Sequence, residues 1–165
     1  MDEGGQELLR RRTATPAGDY AATLQAVAGL VQDLEAALGR HGSVGVCTPG
    51  AVSPATGLIK NANSVCLNGT ALGADLERLL ERPVRLANDA NCFALSEAVD
   101  GAAAGADVVF GVIVGTGTGG GVVVGGRVLR GVNAVAGEWG RNPLPWPTPE
   151  ELPGPPCYCG KRGCI

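Results

Sequence analysis

Five of the seven residues at 115–121 (Gly-Thr-Gly-Thr-Gly-Gly-Gly) are glycine, and the run stands between apolar residues 108–114 and 122–124. A turn that joins two strands needs only one or two glycines, so a run of this length asks for a further cause. Successive glycine N–H groups can form an anion-holding concavity, and threonine hydroxyls can add donors to it. The run follows neither common phosphate pattern: no Lys-Ser/Thr closes it and no helical periodicity comes after it. A loose hairpin turn is the plain alternative. The expected arrangement is a buried strand at 108–114, a phosphate-holding loop, a strand at 122–124 and a tight turn at Gly125-Gly126.

Glycine supplies 27 of 165 residues, more than twice the usual share, while aromatics are 4% and apolar residues 45%. The expected core is therefore single and built from Val, Leu and Ala, in a chain long enough to bury one. The net charge of −3 excludes a basic nucleic-acid-binding face spread over the molecule. No apolar run is long enough for a membrane helix, and the first residues do not read as a secretory leader. A reducing, cytoplasmic setting is expected, with the six cysteines outside any disulfide framework.

Residues 7–13 can form a charged edge strand. Thr15-Pro16 is a helix start, and Leu24, Val27, Leu30, Val31, Leu34 and Leu38 recur at helical spacing up to Gly39. A short strand is expected at 43–47. Leu72, Leu76, Leu79 and Leu80 mark a second helix stopped by Pro83. A strand at 83–87 then runs into Asn88-Asp89 and a helix through Ala98. Residues 101–106 are small and flexible, which suggests a boundary between units 1–104 and 105–165. Residues 143–156 form a proline-rich loop. Alternating strands and helices specify an α/β fold with a largely parallel sheet.

Three further segments can carry chemistry. Asn88-Asp89 lies where a strand ends and a helix begins, the usual place for ligands in α/β sheets. Asp89 there can take a proton from a substrate hydroxyl, or the pair can simply cap the helix. Cys157, Cys159 and Cys164 fall within eight residues, with spacing that suits three thiolates of a tetrahedral zinc site, or they form a reduced loop. Glu138, in Gly137-Glu138-Trp139-Gly140, can accept hydrogen bonds from substrate hydroxyls or be an ordinary surface carboxylate.

Together these segments resemble the ROK family of sugar kinases, and most closely its bacterial fructokinase branch. The resemblance runs through residues 45–50, 60–64, 85–92, 96–101, 115–121, 136–140, 142–146 and 157–165. It implies the actin-like, hexokinase-like (ribonuclease H-like) α/β ATPase fold, in which two domains flank a cleft. Residues 1–104 would belong to the sugar-binding domain, and 105–165 would start the nucleotide-binding domain. The implied activity is ATP-dependent phosphorylation of a hexose. By resemblance Asp89 is the general base, and Asn88, Glu138 and Asn63 are sugar ligands. Gly115, Thr116, Gly117, Thr118 and Gly119 form a nucleotide-phosphate loop, with Mg²⁺ accompanying ATP. Cys157, Cys159 and Cys164 hold a structural Zn²⁺. A homodimer is a further expectation, while nucleic acid and membrane are not expected as partners.

The chain also departs from the family pattern. Arg141 stands where the family has a histidine that binds both zinc and sugar, and a guanidinium does not ligate Zn²⁺. The family's Asp-x-Gly-Gly-Thr loop is not found before residue 1, nor is its next sugar-binding glutamate found by residue 165. On that alignment the chain corresponds to a segment of the architecture, expected to be marginal in stability and catalytically inactive by itself. A sugar-responsive regulator of the same family is a third reading. It would need a helix-turn-helix, for which about fourteen residues before the first helix are too few.

Overall fold

The computed structural model describes residues 1–115, 117–157 and 159–165. The first helix begins later than Thr15-Pro16 suggests. Gly18 turns the chain at φ +80°, and Asp19 then caps α1 (Tyr20–Leu38), its carboxylate accepting from the Ala22 N–H at 2.9 Å. Gly39, at φ +65°, closes the helix as expected. Residues 7–13 lie in no ladder and are mostly exposed, because the Arg10–Arg12 run is better solvated than paired.

β1 (Val44–Thr48) leads through a turn at Gly50 into β2 (Ala51–Val52), which pairs antiparallel with β3 (Ile59–Lys60). A short 3-10 turn (Val65–Leu67) precedes α2 (Leu72–Leu80). β4 (Val84–Asn88) then pairs parallel with β1 in the register Val44↔Val84 to Thr48↔Asn88. α3 (Asp89–Val99) follows without a linker. β5 (Val108–Val114), β6 (Thr118–Val124) and β7 (Arg127–Val128) form an antiparallel sheet in chain order.

Two expectations need correction. The sheet is not largely parallel: among the described residues only β1 and β4 pair that way. The connection at Gly125-Gly126, both at positive φ, is too short for a parallel crossover and compels a hairpin. Nor is the core single. One cluster joins Ile59, Ala62, Leu67, Leu72, Leu76 and Val84, flanked by Leu24 and Val27 of α1. A second joins Ala94, Val109 and Val123, flanked by Leu95, Ala98 and Val128, so α3 packs with the β5–β7 sheet.

The glycine run is mostly strand. From Thr118 onward it belongs to β6, and Gly115 and Gly117 lie outside the strands. Close packing explains Gly120 and Gly121. A Cβ on Gly121 would lie 2.6 Å from the Ala90 carbonyl oxygen, and one on its cross-strand partner Gly111 would lie 2.8 Å from the Ala94 Cβ. The bare surface of β5 and β6 lets the first turns of α3 sit directly on the sheet.

Candidate active site

Asn88 ends β4 and caps α3. Its Oδ1 accepts from the Asn91 N–H at 3.1 Å, while its Nδ2 donates to the Gly50 carbonyl at 2.8 Å and to Asp89 Oδ1 at 3.1 Å. Asp89 Oδ1 also accepts from the Ala90 N–H at 2.9 Å. Capping and acid–base chemistry are thus compatible here: Asn88 caps, and Asp89 stays exposed toward a cleft beside the positive end of a helix.

That cleft, of about 260 Å³, is lined by Asn63, Asn88, Asp89, Gly115, Gly117, Thr118, Gly119 and Glu138, together with Pro49, Gly50, Asn61 and Ile113. Every described member of the expected sugar, base and phosphate sets reaches it; Thr116 lies outside the described residues. A larger neighbouring cavity of about 440 Å³, lined chiefly by small apolar residues, contains no carboxylate. The Gly115 N–H closes the turn onto the Gly117 carbonyl at 2.9 Å, so it is engaged within the loop and is not turned outward as a free donor.

Two walls carry the sugar-ligand candidates. On one wall, Asn68 pairs with both backbone groups of buried Ala62, at 2.9 Å each, and so holds Asn61 and Asn63 in place. Gly50 is required beneath them, since a Cβ there would lie 2.4 Å from the Lys60 carbonyl oxygen. On the other wall, Trp139 Nε1 donates to the Gly119 carbonyl at 3.0 Å and its ring meets Phe110 edge-on. This anchors the turn that presents Glu138. Protein atoms packed around the Glu138 carboxyl raise its pKa; Arg141 opposes the rise and the Asp89 charge adds to it.

The three cysteine sulfurs converge, all within 4.8 Å of one another, with Cys159 and Cys164 3.6 Å apart. Tetrahedral zinc thiolates are about 3.8 Å apart, from a Zn–S bond of about 2.3 Å, so the trio fits three corners of such a site. Among the described residues no fourth His, Cys, Asp or Glu joins them. A backbone N–H bond at Lys161 lowers the Cys159 pKa, and hydrogen bonding to Cys159 pushes Cys164 up to about 11. Pro49, Gly50, Asn61 and Ile113 were not among the expected site residues. Gly50 and Asn61 both adopt positive φ in turns beside the expected ligands, a conformation that the structure reveals and the residue order does not.

The sequence signature of the ROK family matches residues 1–165. The chain belongs to the ROK family. It is 42% identical over 169 aligned residues to an N-acetyl-D-glucosamine kinase of Yersinia pestis, covering 100% of this chain and 66% of that protein. It is 43% identical to an N-acetyl-D-glucosamine kinase of Vibrio cholerae, of which it covers 56%. Among solved structures it superposes on a ROK glucokinase from Streptomyces griseus, in complex with glucose and AMPPNP, with a TM-score of 0.84 and 30% identity, over 99% of this chain and 50% of that one. The chain therefore spans between half and two thirds of the length of these relatives. Its architecture is that of ROK hexokinases, the actin-like α/β fold expected from the motifs. Both of these curated relatives are named N-acetyl-D-glucosamine kinases.

Proposed function

We propose that this chain supplies the sugar site and catalytic base of an ATP-dependent hexose kinase whose sugar is N-acetyl-D-glucosamine, in preference to fructose. The observation that carries the reading is the cleft itself. One exposed aspartate opens into the same space as Asn63, Asn88, Glu138, Gly115, Gly117, Thr118 and Gly119. The choice of sugar rests on what the relatives' names say of those proteins.

In this reading Asn63, Asn88 and Glu138 hold the sugar hydroxyls and orient one of them toward Asp89. Asp89 would accept that hydroxyl's proton as the hydroxyl oxygen bonds to the γ-phosphorus of ATP and the bond from that phosphorus to the β,γ-bridging oxygen breaks, releasing ADP. ATP, with Mg²⁺, supplies the phosphoryl group, and the loop at Gly115, Gly117, Thr118 and Gly119 lies where its phosphates would be met. Fixed alignment of hydroxyl and base does most of the work in such transfers. Cys157, Cys159 and Cys164 would hold a structural Zn²⁺ that braces the loop after Trp139. The division at 104/105, a cytoplasmic setting suited to six free thiols, and a homodimer belong to the same proposal.

The test is ADP release by the protein over a panel of N-acetylglucosamine, glucose, mannose and fructose, alongside direct sugar binding. N-acetylglucosamine is expected to lead both. Asp89→Asn is expected to keep sugar binding while turnover falls about 10²- to 10⁴-fold. Undiminished turnover in that variant rejects the base assignment. A wild-type chain that binds N-acetylglucosamine and releases no ADP supports its sugar site while denying it phosphoryl transfer.

A further inference from the structure

We infer that Lys60 and Arg141 are positioning residues that strap the two walls of the cleft together and set the spacing between Asn63 and Glu138. The two bonds run in opposite directions. Lys60 Nζ, at the end of β3, donates to the Asn133 carbonyl at 2.8 Å. Arg141 Nη2 donates to the Asn61 carbonyl at 3.3 Å. Each cation leaves one wall and ends on a backbone oxygen of the other, across sequence separations of 73 and 80 residues. The contacts bracket the ligand candidates, with Lys60 and Asn61 just before Asn63, and Asn133 and Arg141 on either side of Glu138.

Backbone conformation at the feet of the straps points the same way. Asn61 accepts one strap at φ +60°, and Ala134, next to the acceptor Asn133, sits at φ +54°. A left-handed alanine is strained unless its surroundings hold it there. Each wall is firm by itself, one through the Asn68–Ala62 pair and the other through Trp139 on β6. What the straps determine is the gap between two firm pieces. Arg141 also faces the Glu138 carboxyl electrostatically, so it acts on the ligand as well as on the gap. Asp89 is placed independently by Asn88 at the start of α3. The straps should therefore govern sugar affinity and leave the base where it is.

This inference rests on the proposed sugar site, and titration of N-acetylglucosamine into the protein, followed by calorimetry, separates the two. Lys60→Met and Arg141→Met should each weaken binding about three- to fivefold, and the double variant about tenfold, the scale of solvent-exposed charged contacts. The far-ultraviolet circular dichroism should be unchanged. Lys60→Arg and Arg141→Lys, which keep a cationic donor, should restore affinity to within about twofold of wild type. Should the methionine variants lose their native spectrum, Lys60→Gln and Arg141→Gln are read in their place. Wild-type protein that binds no hexose removes the sugar site and the straps with it. Wild-type protein that binds, beside a double variant that binds equally well, overturns the straps alone. Weakened binding that the cationic variants fail to restore also overturns them, because it marks a packing role.

Discussion

Glu138 stands at the cleft mouth with its carboxyl raised above the ordinary value of 4.5, mainly by desolvation. Only the ionised form offers two acceptor oxygens to sugar hydroxyls. Its contribution to sugar affinity is present above the raised pKa and is lost as pH falls through it. The predicted outcome is a dissociation constant that rises on acidification as the pH falls through the raised Glu138 pKa. Glu138→Gln should bind more weakly and lose that dependence. Arg141→Met should shift the acid limb to higher pH, because the guanidinium lowers the pKa. Calorimetric titration across a pH series checks all three. The roles of Asn88 and Asp89 were legible in the sequence as a pair with two readings, helix cap or base. The structure divides the work between them: Asn88 Oδ1 caps the helix while the exposed Asp89 carboxylate is left to the cleft that both residues line.

The contact of α3 with the β5–β6 hairpin explains why glycine is concentrated where it is. Gly121 faces the Ala90 carbonyl, whereas a Cβ on Gly117 would meet nothing within 4 Å. The two substitutions should therefore differ in kind, although both fall in one run. Gly121→Ala is predicted to cost about 1–3 kcal/mol through overpacking. Gly117→Ala is predicted to change stability by less than about 0.5 kcal/mol. Thermal or urea denaturation monitored by circular dichroism measures both, and equal losses would refute the packing account. The strand at 108–114, the turn at Gly125-Gly126 and the start of α3 were legible from local patterns, although the strand expected to be buried has one exposed face. The extent of β6 was not, because a glycine carries no apolar or polar sign by which alternation can be read.

Across the whole molecule, the outer face of β5 is left open. Val108, Val112 and Val114 are 64%, 43% and 76% exposed, and Phe110 between them is 52% exposed. A contiguous apolar strip of this kind favours association. The 165-residue chain is predicted to self-associate at micromolar concentration, and Val108→Lys with Val112→Lys to shift it toward monomer. Sedimentation velocity reads both, and a wild-type chain that sediments as a monomer would contradict the prediction. The amino-acid order by itself determined the helix stripes, the stop at Gly39, the Asn88-Asp89 junction and the cysteine cluster. Each of these is written in residues a few positions apart, through periodicity, capping and turn chemistry. Only the tertiary structure decided that there are two apolar clusters, that Gly50 and Asn61 enter the cleft, and that Lys60 and Arg141 cross it. Those outcomes depend on groups tens of residues apart meeting at a few ångströms, and no local pattern along a chain encodes such a distance.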